Sequence, residues 1–389
     1  MKASLKNFYE FNPYQYDTIK KSENQDNGER HIIMERYYRA AFSMIPGLGS
    51  VRMGKIVEHF GSATIAWNND LKEVPSLSTQ MVQKISFAKR EICPESLAAE
   101  LEKKLIRVLM VEEDEYPKLL KEIYAPPMII YIKGTLNQIS KSIAIVGARK
   151  CSTYGKRVTE KISEELAEAG VTVVSGGARG IDTFAHQGAL KKGNTVAVLG
   201  SGLDVIYPPE NRDLFSKIVE KGALISEYPP GTPPLAGNFP ARNRLISGFC
   251  DGVLVVEAAE KSGSLITANL ALEQNRDIFA VPGNIFSETS CGANRLIQQG
   301  AKLVLSGRDV LEEIKIFQPQ FEKNSRELFT EIEKKVLSIL KEDEPMLLEV
   351  IGQASELEWS EISLLIFELE MKGYVKNEGL QGYIRIVAM

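Results

Sequence analysis

The hydrophobic pattern of the chain changes period along its length. From about residue 32 to 105, apolar positions recur at helical spacing. From 128 to 315, short β-branched runs alternate with amphipathic stretches. The runs are "MIIYIKG", "SIAIVGA", "VTVVSGG", "TVAVLGSG", "ALISEYP", "GVLVVEA", "DIFAVPG" and "AKLVLSG", each followed by a glycine or a turn. Stretches such as residues 154–170, closed by Gly170, read as the intervening helices. Such alternation predicts an α/β fold with a doubly wound parallel sheet, whose ligands bind beyond the carboxyl ends of the strands. Past residue 327, three helical stretches precede two alternating runs around "NEGLQG", which predicts a winged helix. The expected domains are a flexible polar leader (1–30), a helical domain (31–110), the sheet core (111–316), a linker (317–327) and the winged helix (328–389).

The turn "IPGLGS" (45–50) ahead of an apolar-periodic helix resembles a helix-hairpin-helix, whose amides can hold a phosphate. A plain tight turn between packed helices is the preferred reading. The loops at the predicted strand ends carry glycine and arginine rather than known cofactor fingerprints. The first, "VGARKCSTYG", is not GxGxxG. The second, "SGGARGID", lacks the acidic residue that would hold a ribose, and no GxxxxGK[ST] occurs. Here Gly176 and Gly177 permit a sharp turn with exposed amides, Arg179 projects, and Gly180 opens a helix whose N-terminus favours anions. Asp182, in that first turn, is expected to cap amides. Ser262, Gly263, Ser264 and Thr267 start another helix, as an anion site or an ordinary N-cap cluster.

"FPARNRLISG" (239–248) is expected to be a short helix beside the same crevice. Arg242 and Arg244 fall on different sides of it, so two roles are expected. Phosphate binding is preferred over bracing for Arg242, while Arg244 is left between the two. Phe239, Tyr154 and Tyr207 are candidate stacking surfaces.

Net charge is −4, but residues 141–250 hold 14 Lys and Arg against 10 Asp and Glu, whereas residues 321–389 hold 8 against 14. The middle is basic and the tail acidic, which suggests separate tasks. The four cysteines and three histidines are scattered, so neither a metal site nor a disulfide framework is expected, and a reducing cytoplasm is the default. No run of about 18 apolar residues marks a membrane span, and no signal peptide is evident. Basic groups and amide nests without an obvious nucleophile, base, cofactor or metal point to a binding protein rather than an enzyme.

The blocks "IVGARKCSTYG", "SGGARGIDTFAHQGAL", "AVLGSGLDVIYPPEN", "FPARNRLISG", "VVEAAEKSGSLITANLALEQNRDIFAVPG" and "GANRLIQQGAKLV" resemble, in that order, the DNA-processing protein A (DprA/Smf) family over roughly residues 115–315. The flanks resemble its helical and winged domains more loosely. The resemblance implies an extended Rossmann-like core that dimerises, binds single-stranded DNA and loads the RecA recombinase during natural transformation. The resemblance implies that Arg149, Gly176, Gly177, Ala178, Arg179, Gly180 and Arg242 line the DNA groove, extended by Lys191 and Lys192, and Lys150, Ser175, Phe239, Asn243 and Arg244 complete the expected DNA-contacting set. The last helix of the tail carries Glu361, Glu368 and Glu370 with Lys372 as its one base, so the winged helix is expected to contact protein or to regulate rather than to bind duplex DNA strongly. The alternative is a phosphoribohydrolase-like enzyme on a related fold, with Glu273 as a displaced catalytic residue.

Overall fold

The computed structural model describes residues 27–315, except 76, 137 and 138, and residues 330–385, except 342, 343, 372, 373, 378, 380 and 381. The expected leader (1–26 of it), the 317–327 linker and Lys372 lie outside the described residues. The chain forms two compact units, Met1–Ile316 and Phe317–Met389.

In the first unit, helices α1 (Asn27–Ser43), α2 (Ser50–Phe60), α3 (Ala63–Asn68), α4 (Thr79–Glu91) and α5 (Pro94–Lys103) lead into strand β1 (Arg107–Met110). Then follow α6 (Lys118–Lys121), β2 (Ile129–Gly134), β3 (Ser142–Val146), α7 (Thr153–Glu168), β4 (Thr172–Ser175), α8 (Ile181–Lys192), β5 (Thr195–Leu199), α9 (Arg212–Lys221) and β6 (Ala223–Ser226). The unit closes with α10 (Asn238–Gly248), β7 (Gly252–Val255), α11 (Gly263–Glu273), β8 (Asp277–Ala280), α12 (Cys291–Gln298), β9 (Lys302–Leu303) and α13 (Gly307–Glu313).

The strands form one nine-stranded sheet in the order β1-β2-β6-β5-β4-β3-β7-β8-β9. From β6 to β9 across the sheet every pairing is parallel, as the alternation predicts. The β1 edge departs from it, because β2 pairs antiparallel with both β6 and β1. The run "MIIYIKG" is therefore not part of the parallel set. Residues 107–110, expected in the helical domain, are the sheet's edge strand.

The β3 strand is buried on both faces, which is why it reads as an unbroken apolar run. Ile143 and Ile145 pack with Ile162, Leu166 and Ile181 from α7 and α8. Ala144 and Val146 pack on the opposite face with Leu245, Ala268 and Leu296 from α10, α11 and α12. The helical segment is not a separate body. Phe42, Ile56 and Trp67 share one core with Tyr131, Leu199 and Leu224 of the sheet, and the Tyr131 hydroxyl lies 2.7 Å from Ser43 Oγ.

The second unit has α14 (Glu331–Ile339), α15 (Leu348–Ser355), α16 (Trp359–Met371) and an antiparallel pair, β10 (Val375–Asn377) and β11 (Tyr383–Arg385). Val336, Leu337, Ile351, Ile362, Ile366 and Leu369 form its core.

Candidate nucleic-acid interface

Chain order reverses between β3 and β7, since β3 leads outward to β4, β5 and β6, and β7 then returns to its other side. In open α/β sheets that reversal opens a crevice at the carboxyl ends, with the amides of a helix N-terminus facing it. Here α7 begins at the crevice, and Glu257, just after β7, fills it. The Glu257 carboxylate is buried and accepts from the Ser152 amide (2.9 Å) and the Ser152 hydroxyl (2.5 Å). A Cβ on Gly155 would overlap that carboxylate. The place a nucleotide phosphate would take is held by the chain's own carboxylate.

The second loop repeats this solution. Asp182 is buried and accepts from the amides of Gly176 (3.1 Å) and Ala178 (3.3 Å), capping them as its position in the first turn of α8 predicts. The loop comes close enough to the segment after β3 that a Cβ on Gly180 (φ +75°) would overlap the Ala148 carbonyl oxygen. Ser175 is fully buried and donates to Ile145 O (2.6 Å). Gly176 and Gly177 are buried too, and within this loop the exposed side chain is that of Arg179. The exposed amide nest expected here is thus already occupied.

Arg242 is 4% exposed. It donates to the carbonyls of Gly176 (2.8 Å) and Val198, and its Nε donates to Asn243 Oδ1 (3.3 Å). Burial pulls its pKa down to about 10, and burial raises that of Asp182 despite the adjacent guanidinium and two amide donors. Through these bonds Arg242 ties the ends of β4 and β5 to α10, the bracing role, where the sequence favours phosphate binding. Arg244 also braces, donating to Ala125 O (3.0 Å) and pairing with Glu227 (2.5 Å). Asn243 Nδ2 donates to Gly263 O (3.4 Å) and links α10 to α11.

What remains open is a small depression of about 30 Å³ at the ends of β3, β4 and β5. It is lined by Arg149, residues 176–179, residues 199–201, Tyr207, Pro208, Phe239 and Arg242. The Phe239 ring forms one side. The Arg149 guanidinium sits 5.7 Å from its centroid and the Tyr207 ring 5.6 Å from it, tilted by 37°. Arg149 and Lys150 are exposed and have no ion pair among the described residues. Arg179 pairs with Glu210 (2.6 Å), both more than half exposed, an arrangement worth little in water and readily exchanged for a phosphate. Lys156, in the first turn of α7, lies 4.8 Å from the Phe184 centroid. Sequence reasoning passed over Lys156, although a base in the first turn after a strand-end loop is a visible signal.

The structure does not bring the other candidates to this rim. Helix α8 starts at the rim and runs back across the sheet, so Lys191 and Lys192 emerge at the amino ends of the strands. There they pair with Glu164 (3.1 Å) and Glu168 (3.2 Å) of α7. Ser262 Oγ accepts from the Ser264 amide (3.3 Å), and Ser264 and Thr267 are buried, so this cluster is an N-cap. Tyr154 spends its hydroxyl on Pro282 O (2.9 Å). Glu273 is exposed at the last residue of α11, at the sheet's opposite end from the loops.

The family model for DNA recombination-mediator protein A matches residues 107–315. The chain belongs to that family. It is 41% identical to Protein Smf of Synechocystis over 286 residues (71% of this chain, 72% of that one). It is 49% identical to DNA processing protein DprA of Streptococcus pneumoniae over 203 residues (52% and 72%). The solved structure of Streptococcus pneumoniae DNA processing protein A aligns with TM-score 0.62 at 38% identity, covering 72% of this chain and 97% of that one. That of Helicobacter pylori DNA processing protein A, described for its single-stranded DNA binding mode, aligns with TM-score 0.50 at 32% identity (54% and 95%). The matched segment contains the whole rim, from Arg149 to Arg242.

Proposed function

We propose that this chain binds single-stranded DNA at the carboxyl rim of its sheet. The observation that carries the reading is the half-buried Phe239 ring, with the Arg149 guanidinium 5.7 Å and the Tyr207 ring 5.6 Å from its centroid, beside exposed cations. A base stacks on an aromatic face only when unpaired, and the flanking guanidinium meets its phosphate. The amide nests hold Asp182 and Glu257, so affinity rests on side chains and falls steeply with salt. The solved Helicobacter pylori relative described for its single-stranded DNA binding supports the same ligand here. Binding curves with matched single- and double-stranded oligonucleotides across salt test it. Preference for the single strand is expected, and equal affinity for the duplex overturns the reading.

By its family, the protein acts in recombination, and we extend the reading to loading the RecA recombinase onto the bound strand in natural transformation, as a homodimer. Faster RecA filament growth on strands pre-coated with single-strand-binding protein, and a mass of two chains by light scattering, are the expected results. We read the C-terminal unit, three helices followed by an antiparallel strand pair, as a winged helix. Its α16 exposes Trp359, Leu364 and Phe367 beside Glu361 and Glu368. That face suits a protein partner rather than a phosphate backbone.

A further inference from the structure

A cavity of about 1060 Å³ lies apart from the rim. It lies between the turn joining α1 to α2 and the segment that leads from β6 into α10. One wall is the glycine-rich turn that the sequence singled out, with Gly47, Gly49, Arg52 and Lys55. The other includes Tyr228, Leu235 and Asn238. We infer that this cleft is a second nucleic-acid subsite, which takes the single strand as it leaves the rim. The inference rests on the single-strand reading above and deepens it.

Continuity is the first argument. Asn238 lines the cleft, and its Nδ2 donates to Gly200 O (3.1 Å), a residue of the rim depression. The next residue, Phe239, lines the rim depression itself. One peptide bond therefore separates the two lined surfaces.

Charge is the second. The cleft's charged side chains are Arg52, Lys55, Arg244 and Glu227. The lone carboxylate is spent inside the protein, on Arg244 (2.5 Å) and on the Ser50 hydroxyl (2.8 Å). Lys55 has no ion pair among the described residues, and Arg52 uses one nitrogen on Gly47 O (2.6 Å), leaving other donors for a ligand. The net positive charge faces open space.

Surface is the third. Leu235 and Val51 are at least half exposed in the cleft, and Tyr124, next to the cleft residue Ala125, is 92% exposed. Apolar faces interleaved with unpaired cations are what a single strand needs, bases against the former and phosphates against the latter. A purely apolar peptide would leave both cations without a partner.

The test uses the full chain, with labelled oligo-dT of about six and about fifteen nucleotides, lengths near the two ends of the ~4–16-nucleotide range of single-strand footprints. In the double variant Arg52→Glu/Lys55→Glu, affinity for the short strand is expected to stay within about twofold, which also shows that the fold survives. The long strand should bind about tenfold more weakly, with its salt slope shallower by about 1.4, at ~0.7 per lost phosphate contact. Leu235→Ala should weaken the long strand alone and leave its slope unchanged. Unchanged long-strand affinity in the double variant, or equal loss at both lengths, overturns the subsite. Phe239→Ala separates the two readings, since it should weaken both lengths. If it spares the short strand, the rim reading fails, whatever the cleft variants do.

Discussion

Replacing Arg242 with alanine decides whether this arginine is a brace or a ligand. The substitution strips donors from two buried carbonyls, Gly176 O and Val198 O, and leaves the buried Asp182 without its neighbouring cation. Each orphaned acceptor costs about 1–3 kcal/mol, and the buried Asp182 carboxylate losing its nearby cation adds to that. A loss of about 3–5 kcal/mol is expected, a third or more of the ~5–15 kcal/mol that a typical domain has. The chain's two tryptophans make the assay clean. Trp67 is buried in the first unit and Trp359 lies in the second, so urea unfolding in a Trp359→Phe background reports the first unit alone. Adding Asp182→Asn should restore about 1 kcal/mol or more, because the stranded carboxylate is gone. In dilute buffer, where the variant stays folded, the salt slope of DNA binding should match the parent. Stability within about 1 kcal/mol of the parent, with a slope shallower by ~0.7, would refute the brace and make Arg242 a phosphate ligand.

Phe239→Ala should weaken oligo-dT binding by about 5- to 150-fold, the ~1–3 kcal/mol of one stacked base, with the salt slope unchanged; anisotropy titrations read both. Arg149→Ala should lower the slope by about 0.7 in the same titrations. Lys191→Ala/Lys192→Ala should leave DNA affinity unchanged and shift stability by no more than about 1 kcal/mol per exposed pair, in contrast to what their place in the sequence suggests. Burial lowers the His186 pKa to about 3, and its Nε2 is enclosed without a partner. The unfolded chain therefore takes up the proton first as pH falls. The stability is complete above pH ~6.5 and is lost progressively toward pH 3, with about 2 kcal/mol gone at pH 5. Urea unfolding at pH 7.5 and 5 should show that loss, and His186→Gln should flatten it.

Much of this protein was legible in the order of its residues. Strand-helix alternation is a local pattern, so the parallel set β3 to β9, the helix over "FPARNRLISG" and the capping role of Asp182 all follow from spacing and residue type. Gly180 likewise announces a turn where a backbone carbonyl passes too close for a side chain. The antiparallel β1 and β2 were not legible, because a short apolar run carries no sign of its direction.

Sequence by itself determined that arginines, glycines and aromatics gather in the loops at one edge of the sheet. Only the tertiary structure decided which of them face water. Arg149 and Arg242 both sit beside such loops, yet packing of α10 over the ends of β4 and β5 buries one, while the other rests exposed against Phe239. Lys191 follows a rim loop by only a dozen residues, but a helix of that length carries it to the opposite end of the sheet. Glu257 carries no mark of its role in the sequence, and it is the β7–β3 pairing that brings it to the amide and hydroxyl of Ser152. Type and spacing are properties of the chain, whereas exposure and partnership depend on what else folds against each residue.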